Sequence, residues 1–105
     1  METVEVIKDQ ISTNDVLLYM KGTPQFPQCG FSARAVEALM AVNKPFAYVN
    51  ILENPDIRAE LPKYANWPTF PQLWVKGELI GGSDIILEMF QSGELKSIID
   101  ESVSD

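Results

Sequence analysis

The sequence predicts an α/β fold, a mixed four-stranded sheet with helices on both faces. Segments with the 3.6-residue period of amphipathic helices alternate with short apolar runs that are typical of buried strands. In the first half, a strand, a helix and a strand follow one another, which favours parallel strands joined by a right-handed crossover. In the second half, two runs are separated only by the turn around Lys76-Gly77, which predicts an antiparallel hairpin. The 105 residues, 46% of them hydrophobic, suffice for one domain over 1–105 with an ordinary core.

The first elements are read from apolar spacing. Val4, Ile7 and Ile11 recur at helical spacing and predict a helix over 3–12. The apolar run 16–20 predicts a buried strand. Residues 21–28 contain one glycine and two prolines, which predicts a loop.

A second helix and strand follow this loop. The pattern from 29 to 42 is helical, with Val36, Leu39 and Met40 on its apolar face. The run 46–50 predicts the second strand.

The remaining elements are bounded by turn and cap residues. Asn54-Pro55 predicts a helix start with Asn54 as the N-cap, and this helix should reach about residue 64. Strands are predicted over 70–75 and 78–80. Gly81-Gly82 then ends the hairpin, and either Ser83 or Asp84 is expected to cap the next helix. That helix has an apolar face of Ile86, Leu87, Met89 and Phe90, and a last helix covers 94–101.

Composition excludes several classes of protein. Eight basic and fifteen acidic residues give a net charge of -7, which disfavours nucleic-acid binding. The chain has no histidine, so a Ser-His-Asp or Cys-His enzyme is excluded. The apolar runs are too short to span a membrane, and the acidic first residues resemble no targeting peptide. One cysteine fits a reducing compartment, and we expect a cytoplasmic protein.

Cys29 is that cysteine, within Cys29-Gly30-Phe31-Ser32, and it opens the second predicted helix. Ser32 stands where a Cys-x-x-Cys motif would have its second thiol, so the chain cannot close an internal disulfide. Unpaired N–H groups at a helix start favour the thiolate and should lower the pKa of Cys29. Lys21 would add a positive charge. The alternative is a small buried hydrophobic residue.

Four motifs occur in an order that resembles one family. Lys21 follows the first strand, Cys29-Gly30-Phe31-Ser32 opens a helix, Trp67-Pro68-Thr69-Phe70-Pro71-Gln72 precedes the third strand, and Gly81-Gly82-Ser83-Asp84 opens the helix after the hairpin. Over nearly its whole length the chain resembles the monothiol glutaredoxins of the Cys-Gly-Phe-Ser class. The resemblance implies the thioredoxin-like fold, a glutathione site and a [2Fe–2S] cluster shared between two chains. Ser83 stands where many relatives have a second cysteine.

The resemblance also implies roles for individual residues. Cys29 would be both the catalytic thiol and the protein ligand of the cluster. Lys21 and Arg58 would bind the glycine carboxylate of glutathione. A cis Phe70–Pro71 bond would free the Phe70 backbone for the cysteinyl part. The implied glutathione contacts are Lys21, Arg58, Thr69, Phe70, Pro71, Gly82, Ser83 and Asp84.

Each of these sites has a plainer interpretation. Thr69-Phe70-Pro71 could be an ordinary turn before a strand. The Gly82 region could be an ordinary helix start, although its consecutive N–H groups suit the γ-glutamyl carboxylate and Asp84 its ammonium group. Arg58 could be a solvated helix residue near Glu60. Trp67 could line the groove or pack against the sheet, and it is not among the predicted site residues.

The number of thiols links the chain to a partner. A [2Fe–2S] cluster needs four ligands, and two chains with two glutathione molecules supply four thiolates. We therefore expect a homodimer when the cluster is bound. The resemblance also implies apo iron–sulfur proteins as recipients and a BolA-family protein as a further partner. The alternative is an oxidoreductase that removes glutathione from protein thiols with one thiol.

Overall fold

The computed structural model describes residues 2–102 and contains the predicted order of elements. The helices are Thr3–Thr13 (α1), Gly30–Val42 (α2), Pro55–Ala65 (α3), Ser83–Ser92 (α4) and Glu94–Ser102 (α5). The strands are Val16–Met20 (β1), Ala47–Asn50 (β2), Gln72–Val75 (β3) and Glu78–Gly81 (β4).

The sheet is mixed, as predicted, with the strand order β2-β1-β3-β4. β1 pairs with β2 in parallel, and Leu17 lies opposite Ala47. β1 also pairs with β3 in the antiparallel sense, and β3 pairs with β4 as a hairpin. Lys76 and Gly77 form the hairpin turn with φ of 51° and 80°, the sign that two-residue hairpin loops favour.

Two apolar clusters cover the two faces of the sheet, because alternate residues of a strand point to opposite sides. Leu18 and Met20 face the cluster that includes α2, α4 and α5. Leu17 and Tyr19 face the cluster that includes α1 and α3. All five residues of β1 are buried, as a central strand between two helical layers requires.

Several boundaries and packing predictions were wrong. Gln72 rather than residue 70 begins β3, because the segment up to Pro71 forms a loop and proline has no N–H for the sheet. Met40 and Phe90 were expected on apolar faces, but they are 61% and 41% exposed. The two helices pack into the core through other residues, such as Leu39 of α2 and Ile86 of α4, instead.

The cap predictions were also only partly right. Asn54 does occupy the N-cap of α3, but its side chain donates to the Asn50 carbonyl (2.8 Å) and makes no cap bond. Gly82, rather than Ser83 or Asp84, is the N-cap of α4. No helix within residues 2–102 has the length and apolar character needed to cross a membrane.

Candidate functional site

A groove of about 700 Å³ lies at the edge of the sheet where β1 ends and β3 begins. The starts of α2 and α4 and the first turns of α3 border the same space. Tertiary folding thus brings together segments that are far apart in the sequence. The groove lining includes all of the predicted site residues: Lys21, Cys29, Arg58, Thr69, Phe70, Pro71, Gly82, Ser83 and Asp84.

Cys29 lies at the rim of the groove as the N-cap of α2 and is half-buried. The backbone N–H of Ser32 is the main cause that lowers the pKa of the Cys29 thiol. Partial burial opposes this effect, whereas the Phe31 N–H, the Lys21 charge and the Ser32 hydroxyl reinforce it. The net result is a Cys29 pKa below the ordinary thiol value, so the sulfur is a better nucleophile and metal ligand at neutral pH.

Ser32 is fully buried, and its hydroxyl accepts a hydrogen bond from the Lys21 N–H (3.1 Å). This bond links the start of α2 to the backbone just after β1. Ser32 therefore fixes the backbone beside Cys29, and it offers no thiol for a disulfide.

The loop 21–28 is closed at its base rather than open. Gln28 N–H donates to the Lys21 carbonyl (2.9 Å), and Gly22 forms an isolated bridge with Pro27. The Gly22 N–H donates to Oδ1 of Asn50, also at 2.9 Å. These bonds hold Lys21 and Cys29 at the same side of the groove.

The segment 67–71 forms one wall of the groove, and all five of its residues line it. The Phe70–Pro71 bond is cis, as the resemblance implied. Within residues 2–102, the Phe70 N–H and C=O have no hydrogen-bond partner in the protein. Phe70 therefore presents one free donor and one free acceptor to whatever occupies the groove.

The start of α4 forms the opposite border. The first helical N–H groups, of Ser83 and Asp84, have no protein partner, as expected for a helix N-terminus. The Ser83 side chain is only 7% exposed, and its Oγ is buried without a hydrogen bond. These donors suit an anion.

Two cations lie in the groove of a chain whose net charge is -7. Lys21 is half-buried after β1, and Arg58 is exposed on α3. Glu60, suggested by sequence as a neighbour of Arg58, pairs with Lys63 (3.8 Å). Asp84 is the only acidic residue among the described lining residues.

Some lining residues were missed by sequence reasoning, and Trp67 is the most important of them. Its indole lies beside Gly82, since a Cβ placed there would be 3.7 Å from Nε1 of Trp67. Its position next to Pro68 and Thr69 was a signal that could have included it. The other missed lining residues are Phe31, Pro62, Pro68 and Ile85.

Comparison with known proteins identifies the family. The glutaredoxin family model matches residues 16–80, more than half of the chain. The chain belongs to the glutaredoxin family. A glutaredoxin 4 of Haemophilus ducreyi is 68% identical over 104 residues, covering 99% of this chain and 97% of that protein. A glutaredoxin 4 of Escherichia coli is 66% identical over 102 residues, covering 97% and 89%.

Solved structures agree with this assignment. Reduced poplar apo GrxS14 is 45% identical, with a TM-score of 0.81 and 97% coverage of both chains. The holo form of poplar glutaredoxin C1 has a TM-score of 0.86, covers 98% of this chain and 91% of its own, and is 22% identical, which supports the fold alone. This glutaredoxin therefore has the thioredoxin-like fold and, with Cys29 as its only cysteine, is of the monothiol, glutaredoxin-4-like type. Family membership implies glutathione binding.

Proposed function

We propose that this glutaredoxin binds glutathione in the groove and carries a [2Fe–2S] cluster shared between two copies of the chain. Its role would be the assembly, storage or delivery of such clusters in the cytoplasm. The observation that carries the proposal is the lone Cys29 thiol, with its lowered pKa, at the rim of a cationic groove whose second thiol position is the buried Ser32.

The chemistry of the groove suits each part of glutathione. Lys21 and Arg58 can pair with the glycine carboxylate. The free N–H groups at the start of α4 suit the γ-glutamyl carboxylate, and the Asp84 carboxylate suits the ammonium group. The free N–H and C=O of Phe70 can pair with the cysteinyl residue as a short strand would. This arrangement would place the glutathione sulfur near Cys29.

The cluster would be cargo, because one chain cannot hold it alone. The described residues contain no group of three or more His, Cys, Asp or Glu side chains that could hold a metal. Cys29 supplies one thiolate of the four that a [2Fe–2S] cluster needs. A second chain and two glutathione molecules would supply the others. Gly30, beside Cys29, leaves open space where a side chain would stand.

The proposed partners are compatible with the same ligand count. Half of the proposed ligands would be exchangeable small molecules, which suits transfer to apo iron–sulfur proteins. A BolA-family protein could replace one copy by supplying a ligand of its own. Phe31, next to this ligand position, is 54% exposed and would contribute apolar surface to either complex.

A second candidate activity is favoured by the lowered pKa of Cys29. The Cys29 thiolate would attack the glutathione sulfur of a protein–glutathione disulfide and release the protein thiolate. A second glutathione thiolate would then attack the Cys29–glutathione disulfide, which yields oxidised glutathione and restores Cys29. Both steps are thiol–disulfide exchanges that need no second protein cysteine.

Anaerobic reconstitution with iron, sulfide and glutathione tests the main proposal. We expect a coloured dimer by visible absorption and gel filtration, and loss of both colour and dimer without glutathione or in Cys29→Ser. A colourless monomer that readily reduces mixed glutathione disulfides would refute the carrier role and leave the oxidoreductase.

Glutathione binding is tested by two charge changes on the same helix. Arg58 lines the groove, whereas Lys63 is outside it and largely exposed. We expect Arg58→Gln to weaken glutathione binding in calorimetry about two- to fivefold, as for an exposed charge pair. Lys63→Gln should leave the affinity unchanged, and equal effects of the two changes would contradict the proposed carboxylate contact.

A further inference from the structure

Gln72, the first residue of β3, is a fully buried polar residue whose amide is bonded at both ends. Its Nε2 donates to the carbonyl of Trp67 (3.0 Å) and to the carbonyl of Thr69 (3.3 Å). Its Oε1 accepts from the indole Nε1 of Trp74 (3.2 Å). Because two carbonyls require a donor and the indole requires an acceptor, the amide has one favourable orientation.

This amide is the main tie between the sheet and the wall segment 67–71. The Trp67 N–H donates to the Pro62 carbonyl (3.1 Å) and anchors the start of the segment. Among the described residues, none from 68 to 71 makes a backbone–backbone hydrogen bond outside the regular elements. Besides the packing of Phe70 against the apolar cluster of α1 and α3, the two hydrogen bonds that Gln72 donates hold this wall in place.

The bond to Thr69 also determines where the Phe70 N–H points. The peptide unit between Thr69 and Phe70 is trans and planar, so its C=O and N–H point in opposite directions. The Gln72 amide holds the Thr69 carbonyl toward the sheet. The Phe70 N–H is consequently turned away from the sheet, and it has no protein partner.

We propose that Gln72 is a positioning residue, whose side-chain amide orients the Phe70 N–H and thereby sets the affinity of the groove for the peptide backbone of glutathione. The inference rests on the proposed function for its ligand. Gln72 is buried, lines no part of the groove and would act only through the wall segment.

Gln72→Glu tests this role because it preserves the shape of the side chain. It removes both N–H donors: the ionised carboxyl has no donor, and the protonated carboxyl, which burial beside two carbonyl oxygens favours, has one O–H donor for the two carbonyls. We expect reduced glutathione to bind roughly tenfold more weakly in calorimetry, the factor that corresponds to about one net hydrogen bond. The loss of affinity should grow as the pH rises and the new carboxyl ionises, since only its protonated form keeps one O–H donor.

Controls separate positioning from a general loss of stability. Ile99→Val removes a buried methyl group from the core that includes α5 and should lower stability without changing the affinity. Trp74→Phe removes the bond to Oε1 but keeps both donated bonds, and a smaller loss of affinity is expected. If Gln72→Glu binds glutathione within twofold of the wild type while folded, the inference is overturned.

A second readout does not require glutathione. Residual dipolar couplings of the Phe70 N–H in the free protein report the direction of this bond relative to the sheet. We expect the coupling to change in Gln72→Glu and to remain unchanged in Ile99→Val. An unchanged coupling in Gln72→Glu would overturn the inference, whereas failure of the wild type to bind glutathione would count against the proposed function only.

Discussion

Replacing Gly22 by alanine should damage the loop that holds Lys21 beside Cys29. Gly22 has a φ of +94°, a backbone conformation that side chains disfavour. An ideal Cβ there would lie 2.5 Å from the Phe26 carbonyl oxygen and 2.7 Å from the Gln28 nitrogen. Both are backbone atoms, so the loop must open to relieve the overlap.

The size of the effect follows from this geometry. A non-glycine residue in a disfavoured φ region costs about 1–3 kcal/mol. Opening the loop also weakens the bond between Gln28 N–H and the Lys21 carbonyl, and each such bond contributes about 0.5–1.5 kcal/mol net. We therefore expect Gly22→Ala to lower the free energy of unfolding by about 2–4 kcal/mol.

Urea denaturation followed by circular dichroism measures this change, with Gly30→Ala as the matched control. A Cβ on Gly30 would meet no atom within 4 Å, and Gly30 begins α2, where alanine is tolerated. Gly30→Ala should change the free energy of unfolding by at most about 1 kcal/mol, in the stabilising direction. A loss of less than about 1 kcal/mol in Gly22→Ala would refute the argument from φ and overlap.

Two further predictions concern the groove itself. The rate at which iodoacetamide alkylates Cys29 should rise with pH through a midpoint below that of free cysteine, because the folded protein lowers this pKa. Lys21→Met should move the midpoint upward, but not as far as that of free cysteine, since the Ser32 N–H still lowers the pKa. An unchanged midpoint would contradict a contribution from Lys21. Gly82→Ala should preserve stability, because its Cβ would lie 3.4 Å from the Pro71 carbonyl, yet weaken glutathione binding in calorimetry by filling the groove beside the start of α4. Gly81→Ala is the stability control. Gly81 has a φ of +147°, and a Cβ there would lie 2.6 Å from Cδ1 of Ile85, so this variant should have a lower free energy of unfolding. Equal stability of Gly81→Ala and Gly82→Ala would contradict this geometry.

The wrong sequence predictions share a physical cause. The helical spacing of hydrophobic residues identifies which residues can be buried. The exposed Met40 and Phe90 show that the packing partners decide which of them are buried. Asn54 and Ser83 have the chemistry of cap residues. Their side chains nevertheless took other positions, Asn54 toward the Asn50 carbonyl and Ser83 into a buried site. Cap chemistry is local, whereas the available partners are set by the tertiary structure.

The sequence by itself determined the type of fold and the single thiol. Segments with the 3.6-residue helical period, short apolar runs, and the glycine and proline between them act locally and specify helices, strands and turns. The inventory of one cysteine and no histidine limits the chemistry that this chain can perform, however it folds. The resemblance carried by four short motifs added the predicted site residues.

Only the tertiary structure decided how these residues cooperate. Ser32 meets the Lys21 backbone, Trp67 lies beside Gly82, and Gln72 holds the wall of the groove through carbonyls that any residue would supply. Contacts of this kind depend on the order of strands and on the shape of a loop with few backbone bonds. Side-chain type along the chain does not encode them, because the partner is a backbone group whose direction is set by the fold.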